Sequence, residues 1–180
     1  MKVDSSDSLR RVSSSDLERL ISTLEVNFVG LSQCSVSRGY RLELGGAQAP
    51  GIHYNLFGHG KVYIGNKAAM ELKPHTLIIV PKNCSFRIEV ADETARSSAL
   101  KVIDGSKQTD MHYGVRRFTA GEQEEADVIL ICGFFNASYG SSTDLFANLS
   151  GPIVEQFDIA DHMSLFRGVL DKALQKIAIA

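Results

Sequence analysis

From residue 26 to residue 90 the chain is a series of short apolar runs cut apart by turn-forming residues. The runs fall at 26–31, 40–44, 51–57, 60–64, 76–80 and 85–90. Between them stand Gly45-Gly46, Gly58-His59-Gly60, Gly65-Asn66, Lys73-Pro74 and Pro81-Lys82-Asn83. Runs of this length bounded by Gly, Pro and Asn read as strands joined by tight turns. Many such strands in succession predict a sandwich or small barrel.

The ends of the chain read differently. Residues 1–14 are polar and serine-rich, as in a flexible arm. Ser15 and Glu18 then form a capping box, and Leu17, Leu20, Ile21 and Leu24 follow at helical spacing, so a short helix is expected over roughly 16–25. Residues 91–126 are polar and poorly periodic, which predicts a long excursion with at most a short element in it. The run VILICGFF at 128–135 is continuously apolar, as in a fully buried strand. Ser142 is positioned to cap a short helix carrying Leu145, Phe146 and Leu149. Gly151-Pro152 ends it, and 153–157 reads as extended. Asp161 can cap a last helix reaching about residue 178. Its stripe of Leu165, Phe166, Val169, Leu170, Ala173, Leu174 and Ile177 lies at spacings of three and four.

Composition narrows the function classes. The formal charge is −2 and no basic run is present, so nucleic-acid binding by these residues alone is not expected. Cys34, Cys84 and Cys132 are odd in number and widely spaced. They form no disulfide framework or metal knuckle, and fit a reducing cytoplasmic setting. No apolar run reaches membrane-spanning length, and the serine-rich start lacks the apolar core of a signal peptide.

Two stretches carry a family resemblance. HYNLFGHGKVYI followed by LKPHTLIIVPKNCSFRI resembles the double-stranded β-helix of cupins, with Gly58 at the turn glycine and Pro81 at the later turn proline. His75-Thr76 stand where Gly-Asp is usual. Asn83 replaces a second turn glycine and tolerates the left-handed backbone such a turn asks for. ILICGFFNASYGSSTDLFANLSGPIVEQF is similar to a segment of cupin sensor domains in AraC-type transcription regulators, through Cys132-Gly133, Phe135, Leu145-Phe146, Leu149 and Pro152. The resemblance implies a mainly β fold, a cupin jelly-roll barrel with an N-terminal helix and C-terminal helices. It divides the chain into an arm (1–14), a sensor domain (15–157) and a dimerisation helix (158–180). It also implies that DNA is engaged only through a helix-turn-helix domain outside these residues.

Enzymatic cupins hold a metal on a His-x-His…Glu set with a later His. Here Gly51 stands at the glutamate position, Phe86 at the late histidine, and His53-Tyr54-Asn55 matches His-x-His only loosely. No metal, cofactor or catalytic residue is therefore expected. His59 reads as a solvated turn residue, and His75, His112 and His162 as surface histidines. His53, Asn55 and Phe57 share one strand parity, as do Phe86 and Ile88. These five are the expected contacts of a small-molecule effector inside the barrel. Leu165, Phe166, Val169, Leu170, Leu174 and Ile177 are the expected homodimer interface. Two rival readings stand beside this one: a pure dimerisation module whose barrel is plugged by Phe57, Phe86 and Ile88, and a metal-dependent cupin enzyme.

Overall fold

Buried and outward side chains alternate over residues 51–55, 76–80 and 128–132, as strands packed on one face require. The computed structural model describes residues 13, 15, 19, 22–92, 99–112, 114–122, 125–139 and 143–157. Among them lie β1 (Leu24–Val36), β2 (Tyr40–Leu44), β3 (Gly51–Phe57), β4 (Gly60–Ile64), β5 (Met70–Leu72), β6 (Thr76–Val80) and β7 (Phe86–Val90). After these come β8 (Lys101–Asp104), a 3-10 turn (Gly105–Lys107), β9 (Met111–His112), β10 (Val115–Ala120), β11 (Val128–Tyr139), β12 (Thr143–Asp144) and β13 (Ile153–Gln156). The protein is mainly β, as the turn-punctuated sequence predicts. Among the described residues no helix is long and apolar enough to cross a membrane.

The strands form two sheets. One runs β13-β6-β3-β11-β1-β10-β9, with β12 paired to β11; the other runs β5-β4-β7-β2-β8. Their inward residues share one core: Cys34, Val36, Ile78 and Leu130 from the first sheet, and Leu42, Val62, Phe86 and Ile88 from the second. Burial of each large aliphatic side chain here contributes about 1.5–3 kcal/mol. Both sheets keep free edges, so the described strands form a two-sheet packing and not a closed barrel. Two turns depend on special backbone. Gly58 has φ +87°, and a Cβ there would collide with the carbonyl oxygen of Asp127. Asn83 has φ 60°, the left-handed conformation expected of it, and His75 adopts φ 63°.

Four expectations change. The strand expected at 26–31 extends from Leu24 to Val36, because it pairs with β11 along its whole length and absorbs an irregularity between Phe28 and Gly30 as a bulge. The helix expected over 16–25 therefore ends before Leu24; Ser15, Arg19 and Ser22 are helical. The segment 91–126 builds β8 and β10, which pair in parallel with β2 and β1 and extend both sheets. The helix expected after Ser142 is replaced by β12 and a turn. There Asp144 accepts the N–H of Phe146 at 2.9 Å and Leu145 donates to the carbonyl of Ala137 at 3.0 Å. Phe146 then packs edge-on against Phe135, with ring centroids 5.1 Å apart. The expected helix over 158–180 lies outside the described residues.

Candidate functional site

Strand register sets the site. On the inward face of the first sheet, Arg116 of β10 pairs with Ser32 of β1, Ser32 with Cys132 of β11, and Cys132 with His53 of β3. Adjacent strands lie about 4.8 Å apart, so this row spans roughly 14 Å from a cation to a buried imidazole. Opposite it stand Leu44 and Phe86 of the second sheet, and the small residues Gly45, Gly46, Ala47 and Ala49 leave the connection between β2 and β3 thin. Phe118 and Phe134 complete the walls of a pocket of about 250 Å³ between the sheets.

His53 lies at the inner end, 4% exposed. Its ring stacks on Phe86 with centroids 3.8 Å apart and planes 9° from parallel. Burial pushes its pKa down to about 3, because the charged imidazolium would lose its hydration with no anion to replace it. The ring is thus neutral near pH 7, and its buried Nδ1 has no hydrogen-bond partner among the described residues. Gly51 makes room for the ring, since a Cβ there would lie 2.8 Å from Nε2.

Next to His53 the thiols of Cys132 and Cys34 lie 3.0 Å apart, both free and buried. Burial first, then the hydrogen bond and charge interaction with the neighbouring Cys34 thiol, raise the pKa of Cys132 well above that of an ordinary thiol, which makes it a poor nucleophile. Among the described residues no group of three or more His, Cys, Asp or Glu side chains could hold a metal ion.

Two of the five expected contacts, His53 and Phe86, meet in this pocket. Asn55 and Ile88 are fully buried in the core beyond it. Asn55 is spent on structure, its Nδ2 donating to the carbonyls of Gly58 at 2.9 Å and Lys73 at 2.7 Å. Phe57 is 58% exposed and on the opposite face from the one its parity implies. A register shift sets Phe57 against Ile129 while Asn55 opposes Leu130, so a β-bulge breaks the alternation between them. His59 is exposed in its turn as expected; His75 is half-buried, its Nδ1 3.0 Å from the Tyr54 hydroxyl. Ser32, Arg116, Phe118, Cys132 and Phe134 were not among the expected contacts. The expected dimer residues Leu165, Phe166, Val169, Leu170, Leu174 and Ile177 lie outside the described residues.

A larger concavity of about 690 Å³ is lined by His59, Lys61, Glu71 and Lys101, among others. Among the described residues it holds no buried polar group left without a partner, so the smaller pocket is the better candidate. Comparison with known proteins finds no matching family model, curated protein or solved structure.

Proposed function

We propose that the chain is a small-molecule-sensing domain of the cupin jelly-roll kind, with its ligand seated in the pocket against His53. The fold part of the reading is supported by strand order. Eight strands divide between the sheets as β6-β3-β11-β1 and β5-β4-β7-β2, with the first and last of them, β1 and β11, side by side. Two facing Greek-key sheets of this order make a jelly roll. The link to AraC-type regulators is supported by the sequence resemblance around Cys132-Gly133 and Leu145-Phe146. In that setting the ligand acts by binding one arrangement of the arm or the C-terminal segment better than another.

The observation that carries the reading is the neutral imidazole of His53 at the inner end of the pocket, its Nδ1 without a hydrogen-bond partner among the described residues. A buried polar atom left unsatisfied costs about 1–3 kcal/mol, which a hydrogen-bonding ligand recovers once a turn of the ring brings the buried Nδ1 to the pocket. A second reading, a side-chain-filled dimerisation module, is favoured by the solid packing of Leu42, Val62, Ile88 and Leu130 beyond His53. Thermal unfolding against a broad metabolite panel decides between them. A sensor shows a midpoint that rises with ligand concentration, by about 2.7 kcal/mol of stability at a hundred times Kd. A panel that leaves the midpoint unmoved favours the filled module.

A further inference from the structure

We infer that the pocket takes a small organic carboxylate, its carboxylate held by Arg116 and its apolar body lying between Phe118, Phe134 and Leu44 toward His53. The inference rests on the reading of this pocket as a ligand site. Among the described residues Arg116 is the one charged side chain on its wall, and no acidic side chain lines it. Among the described residues Arg116 takes part in no ion pair. Its guanidinium lies over the ring of Phe118, 5.4 Å from the centroid, a cation–π contact at the exposed mouth of the pocket. A guanidinium presents paired N–H groups in the geometry that a carboxylate accepts bidentately.

The other end of the row fixes orientation and charge. His53 is uncharged, so a second anionic group there would be buried without a counter-ion. A neutral imidazole carries one donor and one acceptor, which suits a hydroxyl, a carbonyl or an aromatic edge. The ligand is therefore a monoanion with its charge toward Arg116. Phosphate esters, which carry more charge, find only one cation on the wall, and sugars find too few polar side chains. The cavity of about 250 Å³ is smaller than pockets for drug-sized molecules, which run roughly 300–1,000 Å³.

The test uses the full chain and matched pairs of probes: benzoate with benzamide, phenylacetate with phenylacetamide, and isovalerate with isovaleramide. Each is titrated by thermal shift and calorimetry against the wild type, Arg116→Gln and Arg116→Lys. The expected result is that at least one acid binds tenfold or more tightly than its amide. Arg116→Gln should abolish that preference, and Arg116→Lys should keep part of it. Equal binding of acid and amide, or acid binding unchanged in Arg116→Gln, overturns the carboxylate assignment while leaving the pocket a ligand site. No binding by any acid also overturns it, and the metabolite panel then decides the fate of the sensing reading separately.

Discussion

The neutral state of His53 links the site to stability through pH. Its folded-state pKa is about 3, against 6.5 for an ordinary histidine. Below pH 6.5 the unfolded chain takes up a proton that the folded chain refuses. The stability that His53 contributes is therefore complete above pH 6.5 and is lost as pH falls from there toward 3, at about 1.4 kcal/mol per pH unit. His53→Gln, compared with wild type by urea unfolding at pH 4.5 and pH 7, should remove about 2–3 kcal/mol of that difference. Equal acid sensitivity in both proteins shows that His53 is protonated in the folded state. His53 and Phe86 were legible in the sequence because strand parity survives from each to its neighbours. Phe57 was not, since a bulge is a register property of two strands and leaves no mark in the spacing of one.

At the scale of elements, β10 is the strand the site depends on, and it lies in a stretch with little apolar periodicity. Its inward residues are Arg116, Phe118 and Ala120, set by parallel pairing with Ser32, Cys34 and Val36 of β1. Parallel pairing joins elements distant in sequence without a hairpin signal, so neither β8 nor β10 could be placed from turn chemistry. The antiparallel strands β2, β3, β4, β6 and β7, each bounded by Gly, Pro or Asn turns, were legible almost to the residue. Beyond its short pairing with β9, the outer edge of β10 is capped at Thr119 by one side chain. Gln108 donates to the carbonyl of Thr119 at 2.6 Å and accepts its N–H at 2.7 Å, standing in for a strand partner. Two net hydrogen bonds of about 1 kcal/mol each are at stake. Gln108→Ala should lower the urea midpoint by the equivalent of about 1–2 kcal/mol and weaken ligand binding through Arg116 and Phe118. A midpoint equal to wild type shows that water replaces the amide at that edge.

At the scale of the molecule, both sheets leave large apolar side chains outward, among them Phe28, Val29, Leu31, Leu56 and Ile131 on the first sheet. A monomer rarely exposes a contiguous apolar patch of more than a few hundred Å². Outside the described residues, the sequence carries a stripe of Leu165, Phe166, Val169, Leu170, Leu174 and Ile177 at helical spacing. The family resemblance puts a dimerising helix pair at that point in the chain, and a homodimer through this stripe is the assembly we propose. Large side chains buried at about 1.5–3 kcal/mol each would outweigh the entropic cost of association. Leu170→Glu combined with Leu174→Glu should then give a folded monomer in sedimentation equilibrium, with circular dichroism and the urea midpoint near those of wild type. A double mutant that stays dimeric moves the interface to the outward sheet residues around Phe28 and Leu31. One that loses its cooperative unfolding transition assigns the stripe to the protomer's own core, where each buried glutamate would lack a partner. Either outcome rejects the stripe as the interface, and only the folded monomer supports it.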